Sequence, residues 1–309
     1  MTGCCFPVTL DRSRSRRGSS KLCISSSKHR RKENYKGPLI VCFGEMMMNL
    51  VPTVLPMSLA EATTYKKFPS GATANVAVGI SRLGVSAAFI GKVGNDEFGH
   101  LLSDILKQNG VDSSGLLFDD DARTALAFYA LKSNGEPEFM FYRNPSADML
   151  LRPQEIDLSL IKKEPVLVLE LVLDQHPRNY LEGAHGIVLG DDPYDDKVIM
   201  MKLYHYNLKL LIVTEGGRGC RYYTKDFKGR LAGFKVEVVD TTGAGDSFVA
   251  GLLSIVAAHN HIYKDEKRLR EALDFANACG AVTVTRRGAI PSLPTKDVVL
   301  RLLFSCFNS

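Results

Sequence analysis

The residues whose types and spacing could do chemistry gather in VVDTTGAGDSFVAGLL, residues 238 to 253, where Asp240 and Asp246 bracket a Thr-Thr-Gly-Ala-Gly turn before an apolar helical run. Two readings of this turn are open. In the first, Asp240 caps the turn, Gly243 and Gly245 permit a tight bend, and Asp246 favours the positive N-terminus of the helix. In the second, the N–H groups of Gly243, Ala244 and Gly245 converge on a phosphate at the end of the helix dipole. Asp246 is poorly placed to bind that phosphate but well placed to take a proton from an alcohol attacking it.

The elements that must position such a loop alternate along the chain. LIVCFGEMM, from Leu39, reads as a buried strand ending at Gly44, and GATANVAVGISRLG as a helix closing on Gly84. VSAAFIGKVG is the next strand, DEFGHLLSDILKQNG the next helix and VDSSGLLF the strand after it. This order predicts parallel β-α units with ligands at the strand C-termini. TALAFYALKSNGEPEFMFYRN then reads as a β-hairpin about Asn134-Gly135, either a lid or an edge extension of the sheet. LIVTEGGRGCRYY reads as strand, turn and strand, FKVEVVD as a short strand, and SFVAGLLSIVAAHN and EKRLREALDFANACGAVTVT as helices, with a last helix over 295–304.

At 309 residues and 45% hydrophobic, the chain can bury a large core. No apolar run approaches the ~20 residues of a spanning helix, so no membrane partner is expected. Seven scattered cysteines suggest reduced thiols rather than a disulfide framework or zinc site. The net charge of +5 is a local matter, because residues 1–37 carry +8 and the remainder −3. That Ser- and Arg-rich start, read as a disordered segment, resembles a plastid transit peptide. A basic arm touching nucleic acid is the disfavoured alternative, since only Phe6 and Tyr35, and no defined fold, accompany the charges.

Six stretches in order, SGATANVAVGISRLG, GKVGNDEFG, FYRNPSADMLLRP, NLKLLIVTEGGRGCRYYTKDF, VVDTTGAGDSF and FANACGAVTVTRRGAIPSLP, resemble the ribokinase-like (PfkB) carbohydrate kinases, most closely plant fructokinases of the plastid type. The resemblance covers residues 39–163 and 190–298. It implies a kinase domain over 38–309: a three-layer αβα sandwich with a mostly parallel central sheet, and a small β lid near 46–68 and 124–145. It also implies ATP, Mg2+ and a sugar as ligands, with K+ in many relatives, and a homodimer through the lid edges.

Residue by residue, the resemblance makes Asp246 the catalytic base and Gly243, Ala244 and Gly245 the anion hole. Asn49, Gly71, Asn75, Arg143 and Asn144 fall on the sugar side. Thr214, Gly216 and Gly219 match a nucleotide-side turn, and Asn277 lies on the helix that lines the adenine pocket. Asp240 and Thr242, with carbonyls near Ala281 and Gly288, match a monovalent-cation site. Ribose, adenosine or 2-keto-3-deoxygluconate are the alternative substrates within the family.

The chain departs from the pattern in two regions. Asn49 stands where relatives carry aspartate, which removes a charge-assisted acceptor, while Ser70 and Thr73 replace the usual glycine and proline. Residues 164–190 are atypical and short by roughly 60 residues, about two β-α steps. The motifs that organise magnesium and phosphate cannot be read there, so Glu170, Asp174, Glu182 and Asp191 receive no metal assignment. VLVLELVL is the candidate for one replacement strand. These departures leave a non-catalytic relative, acting as a nucleotide-binding or interaction module, as the rival of the kinase.

Overall fold

The computed structural model describes residues 6–9, 38–54, 56–131, 137–162, 166–170, 186–191, 196, 208–259 and 261–307. Two sheets are present among them. The larger has nine strands: β1 (Phe6–Thr9), β2 (Leu39–Phe43), β5 (Ser86–Gly94), β6 (Asp112–Asp119), β9 (Val166–Glu170), β10 (Gly186–Asp191), β11 (Leu210–Thr214), β12 (Cys220–Tyr223) and β13 (Lys228–Leu231). Their spatial order is β13-β12-β11-β10-β1-β9-β2-β5-β6. The β9-β2-β5-β6 block and the β10-β11 pair are parallel within themselves.

Side-chain alternation explains why β2 and β5 are interior strands, each flanked on both sides. Ile40, Cys42, Ala87 and Phe89 belong to one core cluster, whereas Leu39, Val41, Ala88 and Ile90 belong to another on the opposite face. A strand buried on both faces reads as an unbroken apolar run, as LIVCF does. The first face is covered by α1 (Ala72–Arg82), α2 (Glu97–Gln108), α3 (Ala244–Val256) and α4 (Glu266–Thr283), whose Val76, Ile80, Leu102, Leu106, Leu253 and Leu273 are buried there. Leu160, in the short helical turn Leu158–Ile161, covers the second face. A last helix, α5 (Lys296–Phe307), packs on α4.

The smaller sheet, β4-β3-β7-β8, consists of β3 (Met47–Pro52), β4 (Tyr65–Ser70), β7 (Leu126–Leu131) and β8 (Pro137–Tyr142). The hairpin does not extend the central sheet: β8 pairs with β7, and β7 with β3, in this separate four-stranded sheet. The Asn134-Gly135 turn lies outside the described residues.

Two expectations are corrected. FKVEVVD forms no strand; Val238 and Val239 are exposed, and the backbone N–H of Val239 is instead bonded to Val284 O at 2.8 Å. Within the segment 1–37, expected to be disordered, Phe6–Thr9 is a strand inside the large sheet; the rest of that segment lies outside the described residues. VLVLELVL does supply a strand, β9.

Candidate active site

The loop that opens α3 owes its shape to Gly243, which occupies the left-handed region at φ 80° and gives the helix no side-chain cap. An L-residue there would be strained and would press against Ala289. With no side chain capping the helix mouth, the first-turn amide at Gly245 has the uncapped arrangement that suits an anion, while the Ala244 N–H donates to Thr241 O at 3.2 Å.

Asp246 lies in that same first turn and accepts a hydrogen bond of 2.7 Å from Asn75 Nδ2 on α1. The residue keeps some accessible surface, the opening a substrate needs, while its carboxyl is packed about with protein. Burial pushes its pKa up to about 7; the Asn75 bond opposes that rise and the nearby Glu45 carboxylate adds to it. A carboxyl poised near neutrality is suited to general-base work.

Glu45 is the residue that sequence reasoning passed over. It is buried at the C-terminal end of β2 and accepts the backbone N–H of Ala72, at the start of α1, at 3.0 Å. Burial raises its pKa, while the Arg143 charge works against that rise and Asp148 adds to it. Gly71, at φ 121°, permits this junction: a Cβ there would stand 2.6 Å from Glu45 O and 2.8 Å from Met46 Cα. Glu45 was visible in GEMMMNL, but its partner lies 27 residues away and no local pattern announces it.

Three of the residues that the sequence places on an expected sugar side carry unmet hydrogen-bonding capacity. Asn49 Oδ1 on β3, Asn75 Oδ1 on α1 and Arg143 Nε after β8 are buried without a hydrogen-bond partner among the described residues. Each such orphan costs about 1–3 kcal/mol, and unmet acceptors and donors of this kind are what hydroxyl groups can satisfy. Arg143 also forms an ion pair with Asp148, the partner that the sequence did not name. Asn144, by contrast, is exposed. Thr73 Oγ1 is a further buried orphan, but it is turned to the backbone of Gly44.

On the other side of α3, Thr214 ends β11, and Gly216 and Gly219 form a turn closed by the Glu215 N–H to Gly219 O bond of 2.7 Å. Asn277 on α4 is buried beside this turn, with Nδ2 at 3.6 Å from Cys220 Sγ and 3.5 Å from Ala232 O. The turn is anchored from below by Glu215, whose buried carboxylate pairs with Arg221 at 3.2 Å and Arg230 at 2.9 Å. This network also escaped the sequence reading, because its arginines come from neighbouring strands β12 and β13.

Asp240 and Thr242 are brought together as a brace. Asp240 Oδ1 accepts the Thr242 N–H at 2.9 Å and its hydroxyl at 2.7 Å, while Oδ2 accepts the Gly288 N–H at 2.8 Å. Three of roughly four acceptor positions are thereby used, so a bound cation would draw mainly on main-chain carbonyls. Among the described residues no group of three or more His, Cys, Asp or Glu could hold a metal ion.

The pfkB family carbohydrate kinase model matches residues 38–187 and 188–296. Probable fructokinase-7 of Arabidopsis thaliana is 52% identical over 318 aligned positions, covering 86% of this chain and 93% of that protein. Probable fructokinase-6, chloroplastic, of Arabidopsis thaliana is 50% identical over 315 positions, covering 85% and 82%. Since 86% of 309 residues is about 266, about 52 of the 318 positions have no counterpart here, close to the shortfall read from the sequence. Among solved structures, fructokinase with bound ATP from Xylella fastidiosa superposes with a TM-score of 0.74 at 27% identity over 87% of this chain and 99% of that one. Fructokinase from Vibrio cholerae O395, in a form with fructose, ADP and calcium ion, gives a TM-score of 0.74 at 25% identity over 86% and 98%.

Proposed function

Because the chain belongs to the pfkB family of carbohydrate kinases, we propose that it transfers the γ-phosphoryl group of ATP to a hydroxyl of D-fructose, giving fructose 6-phosphate and ADP. The observation that carries this reading is the placement of Asp246: hydrogen-bonded to the sugar-side Asn75, and one turn inside an uncapped helix mouth. The carboxylate takes the proton of the attacking hydroxyl, whose oxygen displaces ADP from the γ-phosphorus. The amides of Gly243, Ala244 and Gly245 stabilise the charge that develops on the transferred group.

Asn49, Gly71, Asn75, Arg143 and Asn144 form the sugar side in this proposal, while Thr214, Gly216, Gly219 and Asn277 form the nucleotide side. Magnesium bound with the ATP phosphates would supply charge neutralisation, and K+ at Asp240 and Thr242 would steady the anion loop. Fructose is favoured over other sugars by the likeness to fructokinases, one of which holds fructose and ADP. The likeness to a chloroplastic relative supports a plastid location. The exposed Phe139, Phe141 and Tyr142 on the edge strand β8 support pairing of two lids in a homodimer. No helix of the described residues is long and apolar enough to cross a membrane.

A second reading, a nucleotide-binding relative without turnover, is favoured by Asn49 and by the roughly 50 positions without counterpart. A coupled ATP-consumption assay of the full chain against fructose, ribose, adenosine and 2-keto-3-deoxygluconate separates the two. Turnover with fructose ahead of the others supports the kinase. ATP binding by calorimetry with no turnover on any sugar supports the second reading.

A further inference from the structure

Among the described residues the large sheet consists of two blocks whose strands are not hydrogen-bonded to each other. One, β9-β2-β5-β6, carries the sugar side at the end of β2; the other, β10-β11-β12-β13, carries the nucleotide turn at the end of β11. Between them lies β1. Its residues pair antiparallel with β10, Phe6 opposite Leu189, Pro7 opposite Val188, Val8 opposite Ile187 and Thr9 opposite Gly186. On its other side Val8 faces Leu169 and Thr9 faces Val168 of β9.

Neighbouring strands lie ~4.8 Å apart, so β9 and β10 are separated by roughly 9.6 Å and cannot bond directly. Without β1 each would present a row of unpaired N–H and C=O groups to the gap. Proline is tolerated in a sheet where one side of the strand needs no N–H, and the pairing with β9 stops at Val8, so that Pro7 is bordered on the β10 side alone. The break in the family match, at residues 187 and 188, falls within β10, the strand on one side of the gap. It is the region in which the sequence reading places the absent β-α units.

We propose that the slot between β9 and β10 is a strand-binding site whose occupant is this chain's own Phe6–Thr9 segment, which replaces, in antiparallel sense, parallel strands that longer relatives supply. The inference does not depend on the kinase reading, since it concerns main-chain pairing alone. It gives the N-terminal basic segment a second role. Any proteolytic processing between Thr9 and Leu39 that released the segment would open the sheet between its sugar and nucleotide halves.

Amide hydrogen–deuterium exchange on the full chain tests this. The amides of Phe6, Val8 and Thr9 are expected to exchange about 100-fold slower than in an unstructured peptide. Val8→Pro, which removes a paired N–H, is expected to abolish that protection and to accelerate exchange in Val166–Glu170 and Gly186–Asp191. Free exchange at Phe6–Thr9 in the unaltered chain, with β9 and β10 protected, overturns the proposal. Should Val8→Pro fail to fold, limited trypsin cleavage at Arg12 gives a second measurement. Co-elution of the Met1–Arg12 peptide with the body supports the proposal, and its release with an unchanged melting curve overturns it.

Discussion

Asn75 on α1 and Asp246 on α3, 171 residues apart in the chain, share a hydrogen bond of 2.7 Å in which the amide donates to the carboxylate. The bond ties the sugar-side helix to the helix that begins at the anion loop, so geometry and proton affinity at Asp246 are set together. Asn75 holds the pKa down, whereas burial and Glu45 push it up.

The first prediction follows from those opposed influences. The kcat/KM for fructose should rise with pH along a limb centred at about 7, as the Asp246 base ionises. Asn75→Ala should move that limb to higher pH and Glu45→Gln to lower pH. Arg143 and Asp148, the other charges near Glu45, are unchanged in both variants. Shifts in the same direction would contradict the arrangement.

Stability should carry the opposite sign. The unfolded chain releases the Asp246 proton near pH 3.8, while the folded chain holds it to about 7. Between these values the folded state binds the extra proton, so this group's contribution to stability falls as pH rises from about 4 to 7. Asp246→Asn should flatten that part of the profile. Urea unfolding at a series of pH values checks it, and an unaltered slope in the variant would be inconsistent.

Asn49 offers a test by gain of function. Its Oδ1 is a buried acceptor without a protein partner, and bonds to charged groups are worth about 1.5–3 kcal/mol against about 1 for neutral pairs. Asn49→Asp should therefore lower the KM for fructose about tenfold at pH 8, with little change in the KM for ATP. A rise in the fructose KM would place position 49 outside the sugar site.

Glu215 tests the other half of the site. Replacing it with Gln removes one of the two carboxylates that pair with the buried Arg221, the other being Asp196 at 3.1 Å; weakening a buried ion-pair network in this way costs up to about 3 kcal/mol. The melting temperature should fall, and the KM for ATP should rise several-fold while that for fructose holds. Equal changes in both would mean that the network supports the fold generally rather than the Gly216–Gly219 turn.

Local patterns made much of this legible. The run LIVCF gave a strand buried on both faces, Asn134-Gly135 marked a hairpin, and the glycines of GAGD marked a helix mouth. What escaped depends on contacts between distant residues. Glu45 meets Ala72 N across a loop and a hairpin, and Glu215 meets arginines on two later strands. FKVEVVD misled because alternation alone does not make a strand: the N–H groups of Val239 and Asp240 bond Val284 O instead. Phe6–Thr9 was hidden for the converse reason, since four residues containing a proline carry no periodic signal. Their pairing arises from a gap left by residues that the chain lacks.

The central claim is that Asp246 deprotonates a sugar hydroxyl beneath a phosphoryl-holding loop. Phosphorus NMR of the full chain with ATP, magnesium and fructose at pH 8 tests it most directly, with Asp246→Asn measured in parallel. The account predicts a sugar-phosphate resonance growing with time in the unaltered chain and slowed about 10³-fold or more in the variant. Sugar phosphate formed at comparable rates by both would contradict it.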